Sequence, residues 1–201
     1  MFSWFNKHRR TAAASARRRA SQGRTFEDDR IALLNHAVEF ATFFLKGGRM
    51  PSLLSVRDGF PSFGVGINSR VELVEFNCLP KPGQPHAFNV FLVSDQLALF
   101  AGTPLQKPWP EETRYHEPVP IGLVADGIKQ CAAGGNVHTV ALVDRVEVPA
   151  ANAGGMTDAI RIQIERVETS PVIWYQPYRL ADRQVEFAER SSESGRSFVF
   201  G

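Results

Sequence analysis

Five histidines and two cysteines are spread over the 201 residues, as His8, His36, His86, His116, His138, Cys78 and Cys131. Metal ligation needs donors at short spacing, such as HExxH on one helix face or a CxxC knuckle, and no such spacing occurs here. Neither a metal nor a cofactor is therefore expected. The thiols read as structural: Cys131 falls near the end of a predicted helix, where the dipole disfavours a thiolate, and Cys78 has no base beside it in sequence. Gly64-Val65-Gly66 begins like a phosphate-binding GxGxxG, but Ile67-Asn68-Ser69 follows without the third glycine and leads into strand rather than helix. The pair Asp28-Asp29 suits the start of a helix, and Glu111-Glu112 suits a solvated loop. Asp126, Asp144 and Asp158 stand isolated, with Asp158 read as turn chemistry ahead of a strand. No catalytic residue is assigned.

Charge is distributed far less evenly. Lys7, Arg9, Arg10, Arg17, Arg18, Arg19 and Arg24 give the first 24 residues seven positive charges and no acid. The rest of the chain then has 16 of the 23 basic residues against all 21 acids, a formal charge of −5 with His neutral. A cationic arm on an acidic body points to an anionic partner for the arm, either a lipid surface or nucleic acid. Phe2, Trp4 and Phe5 precede the cations, as in an interfacial anchor that inserts rings among headgroups. The plainer reading is a disordered solubilising tail. Arg9-Arg10 has no hydrophobic stretch after it, so an export signal is not expected, although an acid-free Arg, Ser and Ala segment also fits a mitochondrial transit peptide. Two cysteines do not make a disulfide framework, which favours a cytoplasmic setting, peripheral to a membrane if the arm binds lipid. No run of 18 apolar residues is present to form an ordinary spanning helix.

The body, residues 25–201, is long enough for one domain with a full core, and 43% apolar residues including 15 Phe support an ordered fold. Thr25 and the acids after it start a helix in which Ile31, Leu33, Leu34, Ala37, Val38, Phe40, Ala41 and Phe44 recur at helical spacing, and Gly47-Gly48 stop it. Residues 63–67 and 71–76 alternate around Asn68-Ser69-Arg70 as a hairpin. Three prolines make 79–85 a loop, after which 86–93 and 96–100 form a strand pair turning at Ser94-Asp95. The whole segment 79–120 is Pro-rich and irregular, and Trp109 and Tyr115 within it are candidate partner contacts. A second helix covers 121–133, with Leu123, Val124, Gly127, Ile128 and Cys131 on one face and Gly134-Gly135 closing it. Strands follow at 137–148, 159–167, 172–175 and 184–189, with a fifth at 197–200. Ile160, Ile162 and Ile164 alternate with Arg161, Gln163 and Glu165, so one face of that strand is expected to be wet. His36 reads as a satisfied or surface residue, His138 as partly exposed, and Trp174 and Tyr178 as packing on the sheet.

The expected fold is α+β, an antiparallel sheet of about five to seven strands with two main helices on one face. The runs FFLKGGRMPSLLSV, FPSFGVGI, CAAGG with VHTVALVDRVEV, TDAIRIQIE, VIWYQPYRL and VEFAERSSESGRSFVF resemble, in that order, a small uncharacterised bacterial α+β domain family. The resemblance spans about residues 31–76 and 121–200 and implies a fold without an activity. The arm and the Pro-rich segment depart from it.

These features favour a non-catalytic binding or accessory protein whose body docks a protein partner while its arm contacts an anionic surface. One alternative is an enzyme whose site assembles around 79–120 from residues such as His86, His116 and Glu117. The other is a structural subunit of a larger assembly. The oligomeric state is left open.

Overall fold

The computed structural model describes residues 25–47, 59–68, 70–81, 84–92, 119–132, 137–150, 154–182 and 184–201. Helix α1 spans Phe26–Leu45. Thr25 caps it by accepting from the Asp28 amide at 3.2 Å, while the Asp28 carboxylate accepts from the Thr25 amide at 2.8 Å. This reciprocal box satisfies two of the donors that any helix start leaves open. Leu33, Leu34, Ala37, Ala41 and Phe44 form the buried face. Ile31, expected among them, is 49% exposed, because it lies about 100° round the helix from the centre of that face. Gly47 leaves the helix at φ +80°, the left-handed conformation that glycine adopts at least cost.

Strands β1 (Phe63–Asn68) and β2 (Leu73–Lys81) form the expected hairpin. The Asn68 side chain organises its turn by accepting from the amides of Arg70 and Glu72, each at 2.9 Å. One expectation then fails. Residues 79–81 and 84–85 are strand rather than loop: β2 runs through Pro80, and β3 (Gln84–Leu92) includes Pro85. Pairing with β1 ends at Phe76, whereas pairing with β3 continues to Lys81, so this part of β2 has a partner on one side only. Proline is tolerated where one edge of a strand needs no donor. On its described side β3 pairs with β2; its expected partner, residues 96–100, lies outside the described residues.

Helix α2 (Ile121–Ala132) precedes β4 (Val137–Pro149), β5 (Met156–Arg166), β6 (Val172–Ala181), β7 (Gln184–Phe187) and β8 (Ser191–Ser194). The sheet order is β3-β2-β1-β4-β5-β6, and both β7 and β8 lie along the outer edge of β6. The eight described strands thus fill seven positions, and every pairing is antiparallel. The α+β class with an antiparallel sheet and two helices is as the chain's patterning predicts. The helices, however, do not share a face. Phe63, Val65, Ile67, Ala141, Val143, Ile160, Ile162 and Ile164 pack with α1, while Phe76, Val140, Leu142 and Val137 pack with α2. The reason is in β4, where Val140, Ala141, Leu142 and Val143 are all buried, and an uninterrupted apolar run in a central strand needs cover on both sides. Gly64 admits α2 to its face: a Cβ there would stand 2.2 Å from Ile128 Cδ1.

The wet face expected on β5 is only partly wet. Gln163 and Glu165 are buried, because the segment after β8 folds over them. The Glu165 carboxylate accepts from the Ser197 hydroxyl at 2.7 Å and from the amides of Phe198 and Val199 at 2.8 and 2.9 Å. Residues 197–200 are therefore not a fifth strand, since their amides go to one side chain rather than to a neighbouring backbone. Val199 enters the α2-side core.

Candidate functional site

Uninterrupted register in the β4–β5 hairpin sets Asp144 opposite Arg161. The next pairings set Arg161 opposite Tyr175 and Tyr175 opposite Ser191. Directly opposed residues project to the same face of a sheet. The four positions therefore make one polar row across β4, β5, β6 and β8, on the face that carries α2. Arg161 holds Asp144 in a fork, Nε to Oδ1 at 2.8 Å and Nη2 to Oδ2 at 2.6 Å. The Tyr175 hydroxyl donates to Glu193 Oε1 at 2.6 Å.

Arg161, Tyr175 and Ser191 of this row line an open groove of about 1030 Å³, with Asp144 bound to Arg161 beside it. Val146 and Pro177 add apolar floor, and the chain from Phe187 to Arg190 supplies a wall. Arg179 pairs with Glu186 at 3.0 Å, and Arg190 Nε donates to Gln176 Oε1 at 2.9 Å. Glu147, Glu189 and Glu193 are exposed on the lining. Burial pushes the Asp144 carboxyl above its ordinary value, more than its bond to Arg161 pulls it down. That same bond raises Arg161, and the bond to Glu193 raises the Tyr175 phenol. Chemically, the groove combines aromatic and apolar floor with side chains whose charges are fixed by their neighbours, an arrangement suited to recognition.

Two further polar clusters join elements. Asp29, buried near the start of α1, accepts from Thr139 Oγ1 at 3.1 Å and meets His138 Nε2 at 3.2 Å, with Arg166 at 3.8 Å. His36 Nε2 lies 2.7 Å from Glu75 Oε1 and ties α1 to β2, so His36 is a satisfied residue. Asp158 is not turn chemistry: it lies within β5 and binds Arg145 of β4, Nε to Oδ1 at 2.9 Å. Tyr178 packs in the α1-side core as expected, and Trp174 packs against the edge of that core under the Arg30 guanidinium.

Of the residues singled out in the sequence, Lys7, Arg9, Arg10, Arg17, Arg18, Arg19, Arg24, Phe2, Trp4, Phe5, Trp109 and Tyr115 lie outside the described residues. So do His8, His116 and Glu117, while His86 and Cys78 lie in β3 and β2 and Cys131 lies in α2. Among the described residues, no group of three or more His, Cys, Asp or Glu converges, and no helix is long and apolar enough to cross a membrane. The groove residues Asp144, Arg161, Tyr175 and Glu193 were missed. Arg161 and Asp144 were each visible as a charge in an alternating strand, but only the hairpin register shows that they meet. Comparison with protein-family models, curated proteins and solved structures finds no match to this chain.

Proposed function

We propose that this protein is a non-catalytic binding protein, whose body docks a partner polypeptide in the groove over β4, β5, β6 and β8 and whose Arg-rich arm meets an anionic surface. The observation that carries the reading is the row Arg161, Tyr175 and Ser191, set across three adjacent strands on the floor of a cavity open to solvent, with Arg161 held by Asp144 of the next strand. A row of this kind offers hydrogen-bonding groups at the inter-strand spacing of about 4.8 Å. An extended segment lying across the strands meets a new polar group at each step and apolar floor beside it. The cavity is of the size that ligand and peptide sites occupy, roughly 300–1,000 Å³. The paired side chains arrive pre-organised, which lowers the ordering cost of binding.

The test is selection of peptides from a displayed random library against the full chain, with Arg179→Ser as the counter-screen. Arg179 shares a face of β6 with Tyr175 and Pro177, lines the groove and forms only an exposed pair with Glu186, so its replacement should leave folding intact. Enriched peptides whose binding falls at least several-fold in the variant support the reading. An absence of enriched peptides, or binding indifferent to Arg179→Ser, overturns it.

A further inference from the structure

Trp174 in β6 lies directly opposite Ser192 in β8, and directly opposed residues share a face of the sheet. On its other side Trp174 is opposite Ile162 of the α1-side core, so Trp174 and Ser192 are on the face that carries α1. From α1, the Arg30 guanidinium stacks on the indole with its central carbon 5.2 Å from the ring centroid. Indole Nε1–H and Arg30 Nε–H are both closed to solvent, and among the described residues neither has an acceptor. A buried donor costs free energy until an acceptor reaches it, and here two such donors belong to groups in stacking contact. We infer that this corner of the sheet is an oxyanion site in which Arg30, Trp174 and Ser192 hold a phosphoryl group. It lies on the opposite face from the groove and does not depend on the docking reading.

Three elements supply the donors. Helix α1 gives a cationic N–H, β6 an indole N–H that can only donate, and β8 a hydroxyl that can donate as well. A phosphoryl group has an oxygen for each, and its charge is met by the guanidinium. The way in is the outer edge of the sheet: Ser192 is exposed there, while Trp174 and Arg30 are half-buried. Opposed Cβ atoms stand about 5 Å apart, so an anion on the Ser192 hydroxyl lies against the indole.

The acids nearby do not close the site. Glu27 pairs with Arg30 through Nη2, which leaves Nε outside the pair. Glu27 is 55% exposed, and an i,i+3 pair of this kind is weak, so its carboxylate can turn to solvent when an anion arrives. Glu193, next to Ser192, faces the other side of the sheet, where it accepts from Tyr175.

The experiment is a titration of the 15N-labelled full chain with inorganic phosphate at fixed pH and ionic strength, followed by NMR at the indole N–H of Trp174 and the Nε–H of Arg30. The chain has three tryptophans, and Trp174→Phe identifies the signal of interest. Saturable movement of both signals is expected, with affinity several-fold weaker in Arg30→Met and also weaker in Ser192→Ala, whose exposed position leaves folding intact. Acetate, with two oxygens in a plane, should bind several-fold more weakly than phosphate. Ser192→Ala decides alone if Arg30→Met does not fold. No saturable movement, equal affinity for acetate, or affinity unchanged in Ser192→Ala overturns the inference. None of these outcomes bears on peptide binding in the groove, which the Arg179→Ser counter-screen reads separately.

Discussion

The carboxylate of Glu165 and the backbone amide of Val199 meet at 2.9 Å, joining the middle of the sheet to a segment 34 residues further along the chain. Glu165 is fully buried and receives in addition the Ser197 hydroxyl, the Phe198 amide and the Gln163 side-chain amide at 2.7–2.8 Å. A buried carboxylate is tolerated when several donors replace its hydration. Here the donors also fix the path of residues 197–200 over the α2-side face.

Glu165→Ala removes the common acceptor and strands those donors in a dry site. A loss of roughly 3–5 kcal/mol in urea unfolding is expected, from the cost of leaving buried donors unmade. Glu165→Gln keeps one acceptor oxygen and should lose clearly less. Hydrogen exchange at the amides of Phe198 and Val199 should accelerate in both variants before global exchange does. Unchanged protection there would show that the segment is held by something other than Glu165.

Gly64→Ala should destabilise the protein through overpacking by about 1–3 kcal/mol, since the added methyl would stand 2.2 Å from Ile128 Cδ1 in a full core. Ile128→Val removes that terminal methyl, so the double variant should recover part of the loss. A thermodynamic cycle measures the coupling. Additive effects would mean that α2 does not approach the sheet at Gly64.

Burial, helped by the Asp158 charge and opposed by Arg145, holds the Tyr178 phenol proton so that its pKa is pushed up to about 12. The unfolded phenol titrates near about 10. The folded state therefore keeps a proton that the unfolded state gives up, and stability is intact below about pH 10 and declines as pH rises toward 12. The decline attributable to this group should be on the order of 2 kcal/mol and should be absent in Tyr178→Phe. Denaturant midpoints of the two proteins between pH 9 and pH 11.5 give the comparison, and parallel curves would exclude Tyr178 as the source.

Arg161→Met leaves the Asp144 carboxylate with its burial and without its fork. At pH 7 a loss of about 1–3 kcal/mol is expected. Asp144 already has its carboxyl raised by burial, and losing Arg161 removes the opposing influence. A carboxyl raised in the folded state contributes stability when protonated and loses it as pH rises. The variant should accordingly recover part of its deficit relative to the parent as pH falls from 7 into the carboxylate range. A deficit independent of pH would assign the loss to packing of the Arg161 stem instead.

Local pattern was enough for much of the architecture. Thr25 with acids after it, followed by apolar residues at helical spacing, marked α1 to its Gly47 stop, and helical spacing likewise marked α2 over 121–133, within a residue of its observed end. Period-two alternation marked β1, β4 and β5, because strand and helix periods are properties of a short window of chain. What lies opposite a residue is not. The carboxylate held by Arg161 is 17 residues away and the segment laid over Glu165 is 32–35 residues away, and the face that α2 covers and the strand that pairs with β3 likewise depend on other elements of the chain. Alternation could show that Gln163 and Glu165 share a face with Arg161, but not that the first two are roofed while Arg161 remains in an open groove. That difference comes from where the segment after β8 finds hydrogen-bond acceptors, and burial of a polar side chain is settled only when the donors that replace its water have been brought to it.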